Sequence, residues 1–150
     1  MATQPRARVI EATLDPSQRQ AFKELMTDYN QVLALDEAVR RGRALDNEGL
    51  AWIEEPIRHD DYTGCAKIAR ELATPIQIGE NFSGPRAMME AVTVDAADYM
   101  MPDLARIGGI TGWQQAASLA AIGGIKLSSH LFPEFSVHLL ALSPTCHWLE

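Results

Sequence analysis

The chain has 150 residues, 47% of them hydrophobic and 22% charged, with a formal net charge of −7. That balance belongs to a globular domain rather than a disordered one, and the acidic excess argues against a nucleic-acid partner, which calls for a basic stripe. No apolar run approaches the ~20 residues of a membrane span, and residues 1–8 lack the apolar core of a secretory signal, so a cytoplasmic protein without a membrane partner is expected.

Residues 1–23 form a poorly defined N-terminal segment: Val9–Ala12 and Gln20–Phe22 read as helical, with a turn at Leu14–Ser17 between them. From residue 24 onward strands and helices alternate. Glu24–Asp28 is the first strand, followed by a helix within 33–47 that carries Asp36 and Glu37 in its first turn and stops near Gly49. Leu50–Pro56 is a second strand. The next helix starts near Asp60 or Asp61, aligns Tyr62, Cys65, Ile68 and Leu72 on one face and ends before Thr74-Pro75. After the strand Pro75–Glu80, Gly84-Pro85 opens a third helix packed by Met88, Met89 and Val92. The strand Ala97–Met101, a helix at 110–122 burying Trp113, Ala117 and Ala120, the strand Gly124–Ser129, a short helix at 134–142 and a sixth strand starting at Cys146 complete the pattern. Cys65 and Cys146 lack metal-ligand spacing and read as reduced packing residues.

Polar residues stand at the C-terminal tip of each strand: Asp28, Glu54, Glu80, Asp103, His130 and Glu150. Twenty-six residues separate Asp28 from Glu54 and again Glu54 from Glu80, about one strand, one helix and two loops. This beat describes an α/β chain forming an incomplete TIM-type (β/α) barrel of about six strand–helix units over residues 24–150, since a whole barrel takes roughly 250 residues. Such barrels place their active site at the C-terminal rim of the strands.

Three carboxylates converging in a water-poor mouth repel one another unless a cation neutralises them, and oxygen-only ligation selects magnesium, with manganese as the second choice. Asp28, Glu54 and Glu80 are therefore candidate metal ligands. Asn30 lies within reach of the same pocket. His130, with Asp103 on the preceding strand end to hold one ring nitrogen, is a candidate general base. Glu150, protonated in an apolar pocket, can donate a hydrogen bond to developing negative charge. A serine hydrolase using Ser128 or Ser129 with His130 and Asp103 is disfavoured, for there is no G-x-S-x-G elbow.

With those residues in view, the sequence resembles the barrel domain of the enolase superfamily, and within it the mandelate racemase group. The resemblance rests on Met26–Gln31, Trp52–Pro56, Gly79–Asn81, Met101–Asp103, Ile107–Trp113, Ser128–Phe132 and His147–Glu150. It implies magnesium on Asp28, Glu54 and Glu80, a base at His130 oriented by Asp103, and an acid at Glu150 that hydrogen-bonds the substrate carboxylate, assisted by Asn30. The implied chemistry is removal of the proton α to the carboxylate of a 2-hydroxy acid through an enediolate. The motif at Ser128–Phe132 favours racemisation, with acid-sugar dehydration as the alternative.

Two departures from the family pattern bear on activity. The lysines are Lys23, Lys67 and Lys126, so the chain holds no Lys-x-Lys second base, and no capping domain is in view. Weak or no turnover by this polypeptide alone is expected. A further alternative is a non-catalytic barrel fragment, and open sheet edges lead us to expect a homo-oligomer.

Overall fold

The structure, a computed structural model, describes residues 25–150, so the readings made for residues 1–24 lie outside it. Among the described residues ten elements alternate: β1 (Thr27–Asp28), α1 (Leu35–Leu45), β2 (Ile53–Glu54), α2 (Tyr62–Glu71), β3 (Ile76–Ile78), α3 (Pro85–Thr93), β4 (Tyr99–Met100), α4 (Gly109–Gly123), β5 (Lys126–Leu127) and α5 (Pro133–Ala141). The strands form one parallel sheet in the order β1-β2-β3-β4-β5. Neighbours in sequence are thus neighbours in the sheet, the arrangement of a barrel wall.

The sixth strand is present only as a parallel bridge between Leu127 and Cys146. Its backbone still follows β5, with Leu127 N–H donating to Thr145 O at 2.8 Å, His147 N–H to Leu127 O at 2.8 Å and Ser129 N–H to Trp148 O at 2.9 Å. Among the described residues it has a partner on one side only, which shortens regular pairing.

Helix boundaries follow local chemistry. Asp61 caps α2 by accepting from Gly64 N–H at 2.8 Å. Pro85 opens α3 behind Gly84, and α4 ends on Gly124 at φ +66°, a left-handed conformation that glycine adopts without a Cβ penalty.

Strand side chains alternate between the two faces of the sheet. The helix-facing side carries Ile53, Ile76, Ile78, Met100 and Leu127, all at 1% exposure or less, packed on Ile68, Met88, Trp113, Ala116 and Ala120. Met89 departs from expectation and stays 46% exposed. One residue along a helix is ~100° around it, and here that turn carries Met89 off the face that buries Met88. Cys65 is buried, whereas Cys146 is exposed, contrary to its expected packing role. Cys146 shares the helix-facing side with Leu127, at a position that no described helix covers. Among the described residues no helix is long and apolar enough to cross a membrane.

The turn into α4 is the tightest backbone approach. A Cβ on Gly112 would sit 1.9 Å from the Ile107 carbonyl oxygen, a backbone atom that cannot swing aside. Gly112→Ala is expected to lower stability by about 1–3 kcal/mol in urea unfolding; an unchanged midpoint would contradict this packing.

Candidate active site

Parallel register brings the strand tips to one rim. Asp28 pairs with Glu54, Glu54 with Gln77, and Asp103 with His130. Alternation then separates the two carboxylates of the Glu54-Glu55 pair. Glu54 faces the interior of the half-barrel, beside Trp52 and Gln77; Glu55 accepts a hydrogen bond from Gly79 N–H at 2.8 Å.

Asp28, Glu54 and Glu150 line one cavity of about 320 Å³ with Trp52, Gln77, Ser128 and Trp148. Burial raises the Glu54 carboxyl above its usual range, opposed by hydrogen bonds from Trp52 and Gln77 and reinforced by the charges of Asp28 and Glu80. Glu150 is raised as well, by burial first and then by Glu54, with His130 acting the other way. Glu150 is also tied through its backbone N–H to Ser129 Oγ at 3.1 Å. These effects place the acids in one electrostatic neighbourhood. As oriented, however, no three His, Cys, Asp or Glu side chains among the described residues close around a single metal position.

Each expected ligand has its own present engagement. Asp28 is exposed, and its Oδ1 accepts from Asn30 N–H at 2.6 Å in a local turn. Asn30 is exposed at φ +42°. Glu80 receives Asn81 Nδ2 at 2.8 Å on Oε1, while its Oε2 lies 3.3 Å from His130 Nε2. Arg106 steadies that tip by donating to Glu80 O at 3.1 Å and Asn81 Oδ1 at 2.6 Å.

The His130–Asp103 pairing expected from the sequence is present, with Nδ1 to Oδ2 at 3.0 Å. Asp103 is 4% exposed, and its Oδ1 accepts from the N–H groups of Ala105 at 2.8 Å and Arg106 at 2.9 Å. Burial works against its charge, but the Arg106 N–H, His130 and the Ala105 N–H outweigh it and hold the carboxyl below its ordinary value. With both oxygens engaged, Asp103 fixes the ring so that Nε2 points into the mouth toward Glu80.

Several residues of the site escaped the sequence reading. Gln77, 2% exposed, joins Glu54 to Ser128, whose hydroxyl donates to Gln77 Oε1 at 3.0 Å and lies 3.3 Å from His147 Nδ1. Ser128 therefore meets His147 and Gln77, not His130. Glu55 is 1% exposed, adopts φ +39° and leaves Oε2 without a hydrogen bond; burial pushes its carboxyl up to about 7. A polar residue between Ile76 and Ile78, and the i, i+2 spacing of Trp52 and Glu54, were the available signals for an inward-facing polar string.

The family described as enolase C-terminal domain-like matches residues 6–150. L-talarate/galactarate dehydratase of Salmonella typhimurium is 39% identical over 126 residues, covering 84% of this chain and 32% of that protein. Among solved structures, an enolase from Bradyrhizobium complexed with magnesium and mandelic acid is 45% identical with a TM-score of 0.83, over 85% of this chain and 35% of that one. L-talarate dehydratase from Polaromonas sp. JS666, complexed with Mg and L-glucarate, is 39% identical with a TM-score of 0.82, over 85% and 36%. Further relatives bear the names of cycloisomerases, a racemase and an epimerase. The chain spans about a third of the length of the proteins it matches.

Asp103→Asn tests the pairing at the rim. Loss of a charged acceptor with three N–H partners is expected to cost about 1–3 kcal/mol at pH 7. Because the folded value is depressed, the contribution is whole above the ordinary value of 3.8 and is lost as pH falls through the folded value. The gap between wild type and variant in urea unfolding should therefore narrow below about pH 4, and a gap independent of pH would contradict the assignment.

Proposed function

The chain belongs to the enolase C-terminal domain-like family, and from that membership and the rim geometry we propose that it carries the site at which a hydrogen α to a carboxylate is removed from a small hydroxy acid. The observation that carries this reading is His130, fixed by Asp103 through Nδ1 and presenting Nε2 3.3 Å from the Glu80 carboxylate at the strand-tip rim.

The donor set fits a hard divalent cation. Asp28, Glu54 and Glu80 offer only oxygen, and the acids raise one another's charge cost in the way a cation reverses. Glu54 is held in place through Oε2, while Asp28 is exposed, its side chain tied to the Asn30 N–H in its own turn. These three residues would hold magnesium, which when bound supplies positive charge against a substrate carboxylate as it gains electron density.

The chain's own residues supply the proton chemistry. The His130 imidazole, in its uncharged form, has its proton on Nδ1 facing Asp103, which leaves a lone pair on Nε2. A lone pair cannot donate to Glu80, so Nε2 serves as base when Glu80 turns aside. It takes the α-hydrogen, and ionised Asp103 stabilises the resulting imidazolium. Glu150, whose carboxyl is raised, donates a hydrogen bond to the substrate carboxylate, and Asn30 is placed to assist.

Two outcomes share this first step. In dehydration, the C–H electron pair becomes a C=C bond as the neighbouring C–OH bond breaks. His130 returns its proton to the departing hydroxyl, which leaves as water, and the enol becomes a 2-keto acid. In racemisation, a proton from solvent water returns to the α-carbon from the opposite face, and His130 releases the one it took. The talarate and galactarate dehydratases among the relatives support the first outcome for a polyhydroxy acid. The relative holding mandelic acid, together with the Ser128–Phe132 motif, supports the second.

Two measurements test the reading. Magnesium at a hundredfold excess over its Kd is expected to stabilise the chain by about 2.7 kcal/mol in thermal unfolding, with the effect lost in Glu54→Gln; an unmoved wild-type melting curve would remove the metal assignment. In D2O, NMR of L-glucarate, galactarate and mandelate is expected to reveal slow α-deuteration or keto-acid formation. His130→Asn should reduce either by about 10²–10⁴-fold, and an equal rate in the variant would disqualify His130. Keto acid with no α-deuterated or epimerised substrate identifies a dehydratase.

A further inference from the structure

Glu54 meets the protein through one oxygen. Trp52 Nε1 donates to Oε2 at 2.9 Å and Gln77 Nε2 donates to the same atom at 3.1 Å. Among the described residues Oε1 accepts no hydrogen bond, and the side chain lines the rim cavity. The asymmetry is built in from both sides. Trp52 and Gln77 are 3% and 2% exposed. The indole is wedged against Tyr99, with ring centroids 6.5 Å apart, and against His147 and Trp148, each at 6.0 Å. The amide of Gln77 is oriented by Ser128, whose hydroxyl donates to Oε1 and so turns Nε2 toward Glu54. Reversing the amide would set a carbonyl against a carboxylate, two acceptors with no proton between them.

We propose that Trp52 and Gln77 are positioning residues that make Glu54 a one-oxygen donor and thereby set the preference of the rim for magnesium over calcium. The inference rests on the metal reading of Asp28, Glu54 and Glu80 given above. Magnesium demands near-octahedral coordination and takes single oxygens, whereas calcium accepts six to eight oxygens at longer distances and often chelates a carboxylate through both. For Glu54 to chelate with both oxygens, Oε2 would have to give up two N–H donors in a buried site and leave them unpaired. The ion that needs only one oxygen meets no such obstacle. Selectivity then comes from the residues behind the ligand rather than from the ligand's own identity.

The test is calorimetric titration of the whole chain with Mg²⁺ and, separately, Ca²⁺. Wild type is compared with Trp52→Phe and with Gln77→Leu, each of which removes one donor from Oε2. Gln77→Met replaces Gln77→Leu if the latter fails to fold by circular dichroism. Ser143→Ala is the control, because it removes a buried hydrogen bond, from Trp113 Nε1 at 3.2 Å, that plays no part in holding Glu54. Wild type is expected to prefer magnesium. Each rim variant should move the Ca²⁺:Mg²⁺ affinity ratio toward calcium by about tenfold, and Ser143→Ala should leave the ratio where it was. Wild-type magnesium binding with flat ratios in both rim variants overturns this inference and leaves the metal reading standing. A ratio displaced equally in Ser143→Ala overturns it too, by reducing the effect to general loosening. A wild-type chain that binds neither ion overturns both.

Discussion

Like charges crowded at the mouth of an apolar sheet are the condition that the rim is arranged around. Parallel pairing puts Asp28 level with Glu54, and Glu80 and Glu150 act on Glu54 and on each other. Desolvating an unpaired carboxylate costs several kcal/mol. Against this stands the other face of the same strands, where Ile53, Ile76, Ile78, Met100 and Leu127 are buried and each contributes about 1.5–3 kcal/mol. The apolar layer is large enough to hold the acids in an arrangement they would not choose.

Strand alternation converts that balance into a division of roles between adjacent residues. Glu54 and Glu55 share a residue type, a strand tip and a local backbone, yet they differ in what surrounds them. Glu54 receives two N–H donors on one oxygen and opens the other to a cavity. Glu55 points to the opposite side, ties Gly79 in place and is closed off from solvent. The first is disposed to meet a ligand and the second to brace the loop that carries Glu80. Arg106 braces the same loop from β4's side, so the Glu80 tip is held on two flanks.

The sequence made the fold legible because its signals were periodic. A 26-residue interval, acids at strand tips, Gly84-Pro85 before α3 and Gly123-Gly124 after α4 are local features that tertiary packing had no reason to override. Among the described residues the five helices lie where their patterns put them, within a residue or two at their ends. The pairing of Asp103 with His130 was legible on the same ground, since successive strand tips are neighbours. What stayed hidden depends on side chains reaching across strands. Gln77 reads as one polar residue in an apolar strand until Glu54 and Ser128 stand on either side of it. Cys146 and Met89 were misread because burial depends on what covers a position, and neither residue's own type records that.

Two histidines in this half-barrel each sit beside a polar partner, and the contrast between them shows why position decides the chemistry. His147 lies one level below the rim. Its ring is 4.5 Å from that of Tyr99 and is flanked by Trp52 and Trp148, with Ser128 Oγ 3.3 Å from Nδ1. Aromatic walls there leave little room for a reacting atom. His130 lies at the rim itself, backed by a carboxylate that three N–H donors keep ionised. On the proposed reading, positive charge developing on its ring would be met by a fixed negative charge, and the second nitrogen faces the Glu80 carboxylate. The driving force for taking a proton therefore arises, on that reading, at the strand tip, where the parallel sheet ends and its loops begin.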